Sequence, residues 1–259
     1  MKLRESPVFS KRPEWDWGAF QGTASQVPSE DVQKLAELGI RSLVVSENRL
    51  AEYLPVLGNG MRLATIVFFL RDTLNGKISL AETAKRLRRV LETAGEHDAD
   101  GVIVIRGMEE AAPNKEQWNK ILEELIKAAA LPPGSPHLIF EPMVPRAEDL
   151  FVFPDEARSF AKDSLAGIST KLIFDTYHIA ALGLDIMTEW ERQNDWVGHI
   201  HLSDFIPGAA PDKERVDRIG PRCGVSLVLE AWGPGRSMEK SMKYLHECVR
   251  DIELSIIKP

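Results

Sequence analysis

The chain has 259 residues and a formal net charge of −7, with 44% hydrophobic and 27% charged residues. That balance counts against a broad nucleic-acid surface, which needs clustered Lys and Arg, and no apolar run approaches the roughly 20 residues of a membrane span. The length suits one large α/β barrel of about 250 residues, and no Gly/Ser/Pro-rich linker divides it, so residues 1–259 are read as a single domain.

In chain order, Ser6–Ser10 reads as a short first strand, followed by a long loop holding Trp15, Trp17 and Phe20. Ser29–Leu38 reads as a helix stopped by Gly39. Arg41–Val45 is the second strand and Leu50–Leu57 a short helix. Leu63–Leu70 is the third strand, finishing at Arg71-Asp72, which is read as a substrate contact or a solvated ion pair. Ser79 and Glu82 fit a capping box. The helix behind them repeats Leu80, Ala84, Leu87, Val90, Leu91 and Ala94 on one face, and its Lys85, Arg86, Arg88 and Arg89 read as a solvated basic face.

Gly101–Ile105 is the fourth strand. Asn114 and Gln117 can cap the next helix, whose stripe is Ile121, Leu122, Leu125 and Ile126, and Leu131-Pro132-Pro133-Gly134 breaks it. The fifth strand starts at His137 and is followed by a helix over Asp155–Leu165. The sixth starts at Lys171 and is followed by a helix around Ile186–Glu191, and the seventh runs from Trp196 into His201. A loop from Phe205 to Gly224 carries a short charged helix, Asp212–Arg218. The eighth strand starts at Val225, and a helix over Ser237–Leu254 turns Met242, Leu245, Val249 and Ile252 inward. Eight strand-helix units make a (β/α)8 TIM barrel the economical architecture.

Four of these strands stop at a residue that can bind a metal. His137-Leu-Ile-Phe ends in Glu141, Lys171-Leu-Ile-Phe in Asp175, Val197-Gly-His-Ile in His201 and Val225-Ser-Leu-Val-Leu in Glu230. Short continuous apolar runs are strands buried on both faces, and in a parallel barrel their carboxyl ends share one mouth. Three acids and an imidazole brought together there call for a cation, since buried charges without one are costly. The donor set suits one divalent ion, Mn²⁺, Mg²⁺, Co²⁺ or Zn²⁺. The chemistry best served is proton abstraction beside a carbonyl, with the ion stabilising the enediolate. His178 and Asp204, each three residues beyond a ligand, are natural substrate-contacting or orienting positions. His199 shares the strand face of His201 one layer deeper, where a structural role is expected.

At these residues the sequence resembles the xylose isomerase-like barrel superfamily of sugar-phosphate isomerases and epimerases, most of all the hydroxypyruvate isomerase and ketose 3-epimerase branch. The matching text is Phe140-Glu141-Pro142-Met143, Phe174-Asp175-Thr176-Tyr177-His178, Gly198-His199-Ile200-His201-Leu202-Ser203-Asp204 and Leu229-Glu230. The resemblance implies a metal held by Glu141, Asp175, His201 and Glu230. It implies that Glu141 and Glu230 pass the proton through a metal-bound enediolate, and that His178 contacts a substrate oxygen.

The chain departs from that branch in three places. Val144 replaces a common Asn, the loop after Asp204 lacks a common Arg, and a Gly-x-Gly turn near the end is missing. Substrate recognition is therefore expected to differ. Gly233-Pro234-Gly235-Arg236 is a candidate phosphate contact or a plain turn.

The expected activity is a metal-dependent isomerase or epimerase acting on a small sugar or hydroxy-keto compound. The alternatives are a dehydratase of a cyclic polyol or keto acid on the same metal, and a noncatalytic barrel that binds a sugar or partner. A nuclease of the endonuclease IV type is also resembled. That chemistry needs further histidines on the earlier strands, and the chain has only 6 His in all. Nucleic acid and membrane are not expected partners, and a homo-oligomer is compatible with the sequence. Met1-Lys2-Leu3-Arg4-Glu5 lacks the apolar core of a signal peptide, and Cys223 and Cys248 read as free thiols, so the expected location is cytoplasmic.

Overall fold

Parallel pairing runs through the sheet in chain order. The computed structural model describes residues 17–21, 42–57, 61–105, 115–142, 153–202 and 227–229. Its strands are β1 (Trp17–Gln21), β2 (Ser42–Ser46), β3 (Arg62–Phe69), β4 (Gly101–Ile105), β5 (His137–Phe140), β6 (Thr170–Asp175), β7 (Val197–Leu202) and β8 (Leu227–Leu229). Each pairs in parallel with the next, and β1 also pairs with β8. β1 and β8 are described by their backbone pairing alone. β2 to β7 carry the side-chain detail.

Alternation along these strands separates two cores. Outward residues such as Leu43, Val45, Phe68, Val102, Phe140 and Phe174 join the helix faces in one cluster. Inward residues Val44, Val67, Ile103, Ile139 and Ile173 pack together with Ala64 inside the barrel. Strands buried on both faces must be apolar on both faces, and that is what makes them legible as continuous runs.

The described helices are α1 (Leu50–Tyr53, flanked by short 3-10 turns), α2 (Arg71–Leu74), α3 (Leu80–Glu96), α4 (Lys115–Ala129), α5 (Pro154–Ser164), α6 (Thr176–Ala181) and α7 (Ile186–Gln193). In α3, Ser79 Oγ accepts the Glu82 amide at 3.2 Å, as a cap should. Thr83, Ala84, Leu87, Val90, Leu91 and Ala94 are its buried face. The expected stripe of α4 needs correcting. Trp118 is 2% exposed and belongs to it, together with Leu122, Leu125 and Ile126, whereas Ile121 is only half-buried.

Three further expectations meet the structure here. Trp17 and Phe20 do not lie in a first loop. They are strand residues of β1, held by pairing to β2 on one side and β8 on the other. Gly18 and Ala19 interrupt the apolar run, so tertiary pairing rather than local propensity makes this strand. Arg71 and Asp72 form an exposed pair 3.6 Å apart at the start of α2, the solvated alternative. The basic face of α3 is only partly solvated. Arg86 pairs with Glu47 and lies 5.3 Å over the Phe68 ring, and Arg88 Nε donates to the Ala129 carbonyl at 3.0 Å. Long basic side chains here lay their stems on the protein before reaching a partner.

The expected strand Ser6–Ser10, the helices Ser29–Leu38, Asp212–Arg218 and Ser237–Leu254, and both cysteines lie outside the described residues. Among the described residues no helix is long and apolar enough to cross a membrane.

One glycine sets the geometry of the site. The β6/β7 register shifts between Leu172 and Ile173, which face Val197 and His199, so Gly198 is the extra residue. A Cβ at Gly198 would lie 2.7 Å from Lys171 Cβ. We predict that Gly198→Ala destabilises the fold by about 1–3 kcal/mol through overpacking. Denaturant unfolding with an unchanged midpoint would refute this.

Candidate metal centre

The end of β5 delivers Glu141, and the ends of β6 and β7 deliver Asp175 and His201, which are direct register partners. Ile173 belongs to the inner core, so Asp175 two residues on shares its face and points into the barrel. Asp175 divides its carboxylate between two tasks. Oδ1 caps α6, accepting the amides of Tyr177 at 2.7 Å and His178 at 3.2 Å. Oδ2 lies 3.7 Å from His201 Nδ1 and 3.7 Å from His178 Nε2.

Glu141 Oε1 completes the cluster, 3.4 Å from His201 Nδ1 and 3.9 Å from His178 Nε2. One ligand atom each from Glu141, Asp175 and His201 lies within 4.8 Å of the others. Asp175 and His201 are both 2% exposed. Burial works against the charge on Asp175, but His178, then His201, together with the cap amide, outweigh it and hold its carboxyl below the ordinary value.

The donors fit a divalent ion. Ligands bound at about 2.1 Å around one cation stand about 3–3.5 Å from each other, close to the 3.4 and 3.7 Å seen here between His201 Nδ1 and the two carboxylates. These separations exceed the 2.7–3.2 Å of an N–H···O hydrogen bond. Two carboxylates and an imidazole are hard-to-intermediate donors, the chemistry that Mn²⁺, Mg²⁺, Co²⁺ and Zn²⁺ accept.

Of the residues expected at the site, Glu141, Asp175, His201 and His178 are together. Glu230, Asp204 and Val144 lie outside the described residues. β8 stops at Leu229, which pairs with Leu202 of β7. His199 is inside the barrel as expected, fully buried beneath His201, with ring centroids 5.1 Å apart. Burial, then His201 and Arg62, push its pKa well below the ordinary histidine value. Helix α6 was not anticipated, although an Asp followed by Thr-Tyr-His is an ordinary helix start. That cap fixes which Asp175 oxygen faces the site.

The fold is similar to that of a xylose isomerase domain containing protein from Salmonella typhimurium, with a TM-score of 0.53 at 13% identity, over 92% of this chain and 97% of that one. No protein-family model matches the chain, and no curated protein sequence matches it. Solved structures do. A 3-keto-D-glucoside 4-epimerase, YcjR from E. coli, is similar with a TM-score of 0.66 at 16% identity, over 90% of this chain and 100% of that one. An AP endonuclease of family 2 from Brucella melitensis is similar with a TM-score of 0.68 at 16% identity, over 89% of this chain and 98% of that one. The IolI protein, solved with a bound zinc atom, is similar with a TM-score of 0.61 at 14% identity, over 92% of this chain and 97% of that one. At these identities the likeness establishes the fold.

Proposed function

We propose that the chain is a single complete (β/α)8 barrel acting as a metal-dependent isomerase or epimerase on a small sugar or hydroxy-keto compound. The observation that carries this reading is the convergence of Glu141, Asp175 and His201, within 4.8 Å, at the carboxyl ends of three adjacent parallel strands. Glu230, one residue past β8, completes the ligand set in this reading.

A bound divalent ion supplies Lewis acidity toward a substrate carbonyl and hydroxyl. The chain's own groups do the rest. Glu141 takes the proton from the carbon beside the carbonyl, and Glu230 serves the opposite face, returning a proton to give the isomer or epimer. His178, 15% exposed at the side chain and within 3.9 Å of Glu141, holds a substrate oxygen. The protein works on small molecules in the cytoplasm, alone or as a homo-oligomer.

The likeness to an AP endonuclease raises a second reading, and the histidines weigh against it. Among the described residues only His178 and His201 reach the cluster. His137 begins β5 and bonds Ser169, so it sits at the opposite end of the barrel, and His97 ends α3. Among the described residues a multi-zinc nuclease site lacks its further histidines.

The test is metal content of the purified protein, before and after reconstitution with Mn²⁺, Co²⁺ or Zn²⁺. It is followed by incubation with ketoses and hydroxy-keto acids in deuterated water. About one ion per chain and deuterium entering the substrate at constant heavy-atom mass are expected. Loss of water from the product would move the assignment to a dehydratase, and no ion after reconstitution would end the proposal.

A further inference from the structure

His199 occupies an environment that suits an imidazole poorly. It is 0% exposed, and neither of its ring nitrogens has a hydrogen-bond partner among the described residues. Leaving a buried polar group unsatisfied is costly, and its register partner is the apolar Ile173 of the barrel interior. Packing alone would favour leucine or phenylalanine. What the histidine ring does touch is His201, edge to face, with the planes 78° apart.

That contact bears on a freedom the backbone leaves open. The outer torsion of an imidazole is broad, so backbone position does not by itself decide whether His201 Nδ1 faces the carboxylates. It does face them, 3.4 Å from Glu141 and 3.7 Å from Asp175. T-shaped aromatic contacts have a preferred geometry, and His199 has little room to yield, because it follows the Gly198 bulge packed on Lys171.

We propose that His199 is a positioning residue whose ring edge fixes the plane of His201, holding Nδ1 toward Glu141 and Asp175 and thereby raising affinity for a divalent ion. This rests on the metal-centre reading above. Ligand-orienting partners in metal sites are commonly worth about 10–100-fold in affinity.

The experiment is Mn²⁺ titration of the whole protein, with thermal unfolding in parallel, for wild type, His199→Leu, His199→Met and His199→Phe. The two aliphatic variants are close in volume, so either one that folds suffices. They are expected to bind Mn²⁺ about tenfold more weakly with little change in the unfolding temperature of the metal-free protein, while His199→Phe, which keeps an aromatic edge, regains most of the affinity. Wild-type affinity in a folded Leu or Met variant overturns the positioning role and leaves the metal centre standing. A wild type that binds no ion overturns both. An affinity loss that tracks a fall in apo stability, and that Phe does not rescue, also overturns the role, because it assigns His199 to the fold alone.

Discussion

Asp175→Ala and Asp175→Asn both lose divalent-ion binding, by at least about 100-fold in affinity, and only the alanine variant also loses stability. The first half follows from Oδ2, which faces His201 and His178 at 3.7 Å. Removing one anionic donor from a set of two carboxylates and an imidazole costs more than losing an outer-shell partner, for which about 100-fold is the upper end.

The second half follows from Oδ1, which caps α6. Asn is as good a cap as Asp, whereas Ala at such a position costs about 1 kcal/mol. Metal titration and unfolding of the apo proteins separate the two tasks of one side chain. An Asn variant that binds Mn²⁺ as tightly as wild type would remove Asp175 from the centre.

The same side chain shows why part of this molecule could be read from sequence and part could not. Strands β2 to β7 were legible because both of their faces are buried, so the strand signal is a continuous apolar run. The candidate ligands were legible because they end those runs at a common place, the carboxyl end. Asp175 was therefore legible as a candidate ligand, and it does lie in the cluster with Glu141 and His201. Its role as the cap of α6 was missed, since Thr176–Ala181 is too short to display a helical period.

Strand β1 was missed for the opposite reason. Trp17-Gly-Ala-Phe-Gln lacks a run, and its strand character comes from neighbours on both sides, β2 and β8, that are distant in sequence. Arg86 read as one more basic residue on a solvated helix face, because its partner Glu47 is 39 residues away. Trp118 falls one turn before Leu122, the first buried residue of the expected stripe. Periodicity reports which face is buried and leaves open what polar side chains at its margin reach.

Glu141→Gln is expected to lower turnover of an identified substrate by about 10²–10⁴-fold, the usual contribution of a positioned acid/base group, with a much smaller loss of metal affinity. Glutamine keeps the length of the side chain and one carbonyl oxygen, so a ligand atom survives near His201 Nδ1. What it cannot do is accept a proton at pH 7. The loss should therefore fall on kcat more than on KM, since an interaction made only as the proton moves is felt in the transition state. Solvent deuterium exchange at the carbon beside the carbonyl should fall in step with product formation, because both need the same proton removed. Glu141→Ala, which removes ligand and base together, should lose metal as well and so marks the difference between the two roles. If Glu141→Gln retained full exchange with its metal in place, Glu141 would be a ligand alone, and the proton would have to leave through another group at the mouth, for which His178, within 3.9 Å of the same carboxylate and outside the proposed ligand set, is the candidate.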